Sequence, residues 1–209
     1  MRFVIFHGAY GNANGNWFPW LKDELLKLKQ EVILEQFPTE TWEKVEKVGP
    51  SFVGSKQTLP NWIKAFEEKI LPQISKKDKL CFIGHSLGPQ FILHLIAKFN
   101  IQLDSAIFVM PFQRLLGAHD WMFDVVNRSF MTGDFDYNKL RRLIPLSFAV
   151  YSDNDKYVLQ EYCEDFALRM QSTKIVVKGG DHINAPFFTK LPLALELCKT
   201  RIDASEYDH

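Results

Sequence analysis

Cysteine is scarce in this chain. Cys81, Cys163 and Cys198 are spread over 209 residues, too few and too scattered for a disulfide framework or a zinc site. They read as reduced thiols of a cytoplasmic protein. Long hydrophobic runs are missing as well, since no stretch reaches the roughly 18 apolar residues of a membrane span. The opening MRFVIFHGAY breaks at His7 and Gly8, too soon for a signal-peptide core, and reads as a first strand. Neither charge predominates, with 25 Lys and Arg against 25 Asp and Glu. That balance leaves no electrostatic footprint for nucleic acid or an anionic membrane. Repeats, low-complexity tracts and Gly/Ser/Pro-rich linkers are absent too. Residues 1–209 are therefore expected to form one domain, with 202–209 as a loose tail.

Apolar residues, by contrast, make up 46% of the chain, enough for a sizeable core. Aromatics reach 14%, with 18 Phe, which implies either a greasy pocket or a core built with Phe. Short apolar runs alternate with amphipathic stretches. The pattern predicts strands at 2–6, 32–37, 79–83, 105–110, 146–151 and 173–177. It predicts helices at about 17–29, from Thr58 or Asn61 to about 70, and at 87–99, 157–170 and 187–199. Asn16 is the expected N-cap of the first helix, and Pro19 is tolerable in its first turn. Residues 38–58 show no regular pattern. Strands alternating with helices imply parallel pairing with crossovers on both faces. The fold class is α/β, a three-layer α/β/α sandwich with a mostly parallel sheet.

The strongest local signal is Gly84-His85-Ser86-Leu87-Gly88, between the strand ending at 83 and the helix starting near 87. This is the strand–turn–helix setting of a nucleophile elbow. In so sharp a turn the side chains two before and two after the nucleophile would collide, and glycine removes them. Ser86 would project above the carboxyl edge of the sheet, where the helix N-terminus aims amide N–H groups.

A serine hydroxyl needs a base. His94 reads as a packed helix residue, His209 is terminal, and His85 points away from its neighbour. His7 shapes the first loop, and His119 stays open as an alternative in the irregular middle of the chain. His182 fits best, in the Gly-bearing loop after strand 173–177, at the sheet edge where open α/β sheets place their chemistry. The imidazole in turn needs a carboxylate behind it. Asp155 is favoured over Asp153, because an aromatic and then Val follow it, while Asp153 is better placed to hold the loop. The order Ser86, Asp155, His182 is nucleophile, acid, base. An oxyanion hole would take the backbone amides of Leu87 and of Ala9, with Tyr10 as the second choice in the first loop.

On these residues the chain resembles the α/β-hydrolase-fold serine hydrolases, and more narrowly the small, nearly capless YdeN / retinoblastoma-binding protein nine family. The resemblance covers most of the chain. It includes His7-Gly8, Trp17-Phe18-Pro19-Trp20-Leu21, the Gly-His-Ser-Leu-Gly elbow, Ser-Asp-Asn-Asp at 152–155 and Gly-Gly-Asp-His-Ile-Asn at 179–184. It implies an α/β hydrolase fold with a small or minimal cap, and it carries the family triad onto Ser86, Asp155 and His182. Three features depart from the pattern. Lys156 stands where the family often has proline, Asp181 where many relatives have glycine, and residues 38–58 and 112–142 are longer than in the smallest relatives.

Residues 112–142 hold Phe112, Leu115, Leu116, Trp121, Met122, Phe123, Phe130 and Met131 where hydrolases insert a cap. They read equally as a short lid lining an acyl or aromatic pocket and as a helix packed on the sheet. Tyr10, Phe112 and Trp121 are the pocket candidates. The function expected is a serine hydrolase, esterase-like, that cleaves a small ester, thioester or amide through an acyl-enzyme, with no metal or organic cofactor. Its partner is a small-molecule acyl substrate, with no nucleic acid and no membrane span; the sequence names no protein partner. Two alternatives stand beside it: a non-catalytic protein-binding module on a hydrolase scaffold, and an acyltransferase with the same triad.

Overall fold

The computed structural model describes residues 1–117 and 120–202. Six strands form one parallel sheet in the order β2-β1-β3-β4-β5-β6. They are β1 (Arg2–Phe6), β2 (Glu31–Leu34), β3 (Leu80–His85), β4 (Ser105–Val109), β5 (Ser147–Ser152) and β6 (Thr173–Val177). Helices connect them: α1 (Phe18–Lys27), α2 (Trp42–Val48), α3 (Leu59–Lys69), α4 (Leu87–Phe99), α5 (Trp121–Asn127), α6 (Tyr137–Leu143), α7 (Gln160–Met170) and α8 (Pro192–Lys199). Among the described residues no helix is long and apolar enough to cross a membrane.

The chain starts one strand in from an edge of the sheet. It moves outward from β1 to β2, then crosses back over β1 to β3 and continues to β6. Right-handed crossovers running in opposite directions fall on opposite faces. Accordingly α1 packs with α8 on one face, while α4, α6 and α7 lie in succession on the other. The reversal separates the loops that leave β1 and β3, and it opens a crevice at their carboxyl ends.

A parallel sheet covered on both faces favours strands that are apolar throughout. Every residue of β3 and β4 is buried, and so is β1 after its first residue. The edge strand β6, Thr-Lys-Ile-Val-Val, is largely open to solvent. The phenylalanines build the core. Phe6 meets Phe82 at 5.2 Å and Phe37 and Phe91 at 5.8 Å, centroid to centroid. Tilted and edge-on pairings of this kind are the favoured aromatic geometry.

Several boundaries differ from the sequence reading. Asn16 is not the cap of α1. It has a positive φ of 53°, and its side chain accepts from the Ala185 amide at 3.1 Å, so Trp17 occupies the cap position. Thr58, not Asn61, caps α3 by accepting from the Asn61 amide. Residues 38–58 contain α2. Its apolar stripe of Trp42, Val45 and Val48 buries only Val45, which is why the pattern reads as irregular. The last helix begins at Pro192, and 187–191 before it are irregular.

Candidate active site

The elbow follows from local sterics. Ser86 has φ 58° and ψ −106°, a backbone conformation that L-residues adopt only under constraint. Its amide donates to Val109 O at 2.8 Å, which ties the turn to β4. Gly84 and Gly88 allow the turn. A methyl on Gly84 would come within 2.6 Å of Pro89 N, and one on Gly88 within 2.7 Å of Phe6 O. Gly8, across the crevice in the β1 loop, is pressed against the same serine. A methyl there would meet Ser86 Cβ at 2.8 Å.

His182 leaves the loop after β6, and Asp155 the loop after β5. His182 Nδ1 and Asp155 Oδ2 lie 2.5 Å apart, with both residues buried. The other carboxylate oxygen accepts the amides of Tyr157 at 2.7 Å and Val158 at 3.2 Å. The aromatic and the valine after Asp155 thus supply the amides that aim its carboxylate. Burial works to raise the Asp155 pKa. The His182 hydrogen bond and charge and the two amides outweigh it, and the carboxyl ends below its ordinary value. Asp153 does something else: its carboxylate accepts the Gly179 amide at 2.7 Å and joins the β5 and β6 loops. Asp181, with φ 47°, is a turn residue whose carbonyl accepts from Ser152 Oγ.

Ser86 and His182 line one cleft, with Gly8, Ala9, Tyr10 and Gly11 on its β1 side. Among the described residues the imidazole's hydrogen bond is to Asp155, and none joins it directly to the Ser86 hydroxyl. The cleft holds about 320 Å³, at the small end of ligand sites. The Leu87 amide heads α4, where no intrahelical acceptor exists. In the β1 loop the Tyr10 amide donates to Gln57 Oε1 at 2.9 Å. Of the two loop amides considered, Ala9 is the one left for a ligand.

Three of the other histidines, His7, His85 and His94, are tied into hydrogen bonds with the backbone. His85 Nε2 donates to the His182 carbonyl at 2.9 Å, and burial, then the neighbouring His182, lowers its pKa to about 3. His7 donates from Nδ1 to Gly8 O and accepts the Phe37 amide at Nε2, and burial lowers it to about 4. His94 bonds Phe130 O at 2.7 Å. His119 and His209 lie outside the described residues.

Two pocket candidates are corrected. Phe112 is buried in the main core, and Trp121 packs on a small cluster of Val45, Phe52, Met122 and Val126; neither lines the cleft. On a helix, residues two apart face nearly opposite ways, so Phe123 reaches the cleft where Trp121 does not. Tyr10 does line it, joined by Trp42, Phe123 and Tyr157. Trp42 lies within residues 38–58, whose sequence shows no regular pattern. Its spacing from Val45 and Val48 was the available signal.

A family model described as serine hydrolase matches residues 3–198. The chain belongs to the serine hydrolase family. This serine hydrolase is 23% identical over 199 residues to YdeN of Bacillus subtilis strain 168, covering 94% of this chain and 93% of that one. The crystal structure of the B. subtilis ydeN gene product superposes with a TM-score of 0.78 at 22% identity, over 96% of this chain and 97% of that one. Est1E of Butyrivibrio proteoclasticus, solved with ferulic acid bound, gives 0.67 at 16% identity over 95% and 86%. The fold is that of the α/β hydrolases, and the protein is a YdeN-like hydrolytic enzyme.

Proposed function

We propose that this hydrolase cleaves a small ester, thioester or amide through an acyl-enzyme, with Ser86 as nucleophile, His182 as base and Asp155 as the group that orients it. The observation that carries the reading is the buried His182–Asp155 pair at 2.5 Å on the cleft that holds Ser86 at the elbow. With Nδ1 bonded to the carboxylate, His182 presents Nε2 for proton transfer. Ser86 Oγ attacks the carbonyl carbon as its proton passes to that nitrogen. The amides of Leu87 and Ala9 hold the oxyanion, and collapse of the intermediate expels the alcohol, thiol or amine, which takes the proton from His182. Water, deprotonated by His182, then attacks the acyl-Ser86 carbonyl; the second intermediate collapses, the C–Oγ bond breaks, Ser86 Oγ takes the proton back from His182, and the acid is released. The groups named supply every proton and electron pair these steps require.

A fluorophosphonate probe tests the assignment. It is expected to label the folded protein and to fail on Ser86→Ala. A folded wild-type protein that resists the probe and turns over no ester in a panel of varied chain length, or aminoacyl amide, would overturn it.

A further inference from the structure

We propose that the cleft selects esters and amides carrying a small planar aromatic ring, and that Trp42 and Phe123 set this preference. The inference rests on the catalytic reading above and names the substrate class of that same site.

Four aromatic side chains form a continuous wall beside the imidazole. Tyr157 lies 5.6 Å from His182, and Phe123 lies 5.3 Å from Tyr157, centroid to centroid. Beyond them Phe123, Trp42 and Tyr10 close a triangle with sides of 5.6, 5.4 and 5.7 Å. The rings meet edge to face, at interplanar angles of 61° to 85°. Each such contact uses the edge of one ring and leaves a π-face or a polarised edge for a further ring. Trp42 keeps 39% of its surface exposed, an unusual amount for tryptophan on a surface that is not contacted.

The wall is neutral and rigid. None of the described residues lining the cleft is Lys, Arg, Asp or Glu, which disfavours a charged acyl or leaving group. The Tyr10 hydroxyl donates to Met122 O at 2.6 Å, and burial, then Glu40, pushes its pKa up, so it stays protonated. Trp42 and Phe123 are mounted on α2 and α5, which bury Val45, Phe52, Met122 and Val126 between them. Gln57 accepts the Tyr10 amide and donates to Asn127 Oδ1 at 3.0 Å, joining the β1 loop to the end of α5. A preformed wall spends little on ordering when a ligand arrives. The cleft volume of about 320 Å³ suits one ring on a short linker and is small for a long acyl chain.

Matched substrate pairs test the idea, since phenyl and cyclohexyl groups have equal carbon counts and differ in planarity and π-character. Methyl 3-phenylpropanoate against methyl 3-cyclohexylpropanoate puts the ring in the acyl group. The 2-phenylethyl and 2-cyclohexylethyl acetates put it in the alcohol. The ratio of kcat/KM, phenyl over cyclohexyl, is expected to exceed about tenfold in one pair, and that pair tells which side of the scissile bond the wall holds. It should fall toward one in Trp42→Ala and Phe123→Ala and persist in Trp42→Phe. Both rates come from one preparation, so partial unfolding cancels from the ratio. A ratio of one or less in both pairs, or a high ratio unchanged in both alanine variants, overturns the proposal. Methyl acetate turnover and fluorophosphonate labelling are read alongside. Their loss in wild type would sink the catalytic reading itself, whereas their presence with a ratio of one removes only the aromatic preference.

Discussion

Asp153 and Asp155 sit two residues apart on one loop, and their carboxylates point at different partners. One accepts the Gly179 amide, the other faces His182 Nδ1. Asp155→Asn keeps the shape and reverses the hydrogen-bonding sense toward the ring, so kcat should drop by about 10³- to 10⁴-fold. Asp153→Asn retains an acceptor for Gly179 and should stay within about tenfold of wild type. Steady-state kinetics on one ester compares them, and the reverse ranking would refute the assignment. His7 and His85 make a second residue-scale prediction. Both are held neutral in the fold, at about 4 and about 3, below the ordinary histidine value of 6.5. A base with a depressed folded pKa stabilises fully above its unfolded pKa and loses that contribution as pH falls toward the folded one. Asp155, also depressed, adds its loss at lower pH still. Between pH 7 and pH 5 the two histidines should together remove on the order of 4 kcal/mol. Urea midpoints at the two pH values measure this, and an unchanged or higher midpoint at pH 5 would contradict it.

At the scale of elements, helix α4 approaches the sheet through Gly88. A methyl group there would press on Phe6 O, a backbone atom of β1, which is paired on both sides and cannot swing aside. Gly88→Ala should therefore cost about 1–3 kcal/mol, as other overpacked sites do. A urea midpoint equal to wild type would show that α4 can shift without penalty. The β1 loop and α5 are coupled by Gln57, which is fully buried. Gln57→Ala strands the Tyr10 amide and the Asn127 Oδ1 atom at about 1–3 kcal/mol for each group left unpaired. Because Ala9 precedes Tyr10, kcat should fall more than KM rises. Loss of stability with kcat intact would separate the loop from the chemistry.

Across the whole molecule, the loops that meet at the cleft come from both halves of the chain. Trp17 Nε1 donates to Ile183 O at 3.0 Å, and Asn16 accepts the Ala185 amide, so the start of α1 braces the loop that carries His182. The three cysteines lie in the interior on different elements, Cys81 on β3, Cys163 on α7 and Cys198 on α8. Burial raises all three thiols, Cys81 to about 12. A thiol reagent such as dithiobis-nitrobenzoate should find none of them in native protein and all three after denaturation. Rapid reaction of one thiol in the native state would show that its element opens locally.

Much of this was legible in the chain. Buried parallel strands are apolar on both faces, so their runs stand out without reference to neighbours, and the six strands were placed to within a few residues. The elbow was legible because its sterics are local: a turn that tight leaves no room for a side chain two residues before or two after Ser86, where Gly84 and Gly88 stand. Partnership across the fold was legible only in part. The aromatic and Val after Asp155 favour it over Asp153, but the contact with His182 is made only when the loops after β5 and β6 come together. Asn16 was a plausible cap until a loop 169 residues away claimed its side chain. Phe112 and Trp121 looked as apt for a pocket as Phe123, because composition gives hydrophobicity and not direction. Sequence determined which groups could react and what turn could hold them. Long-range packing decided which of them share a cleft, since contact between distant segments is a property of the closed sheet and of no local pattern.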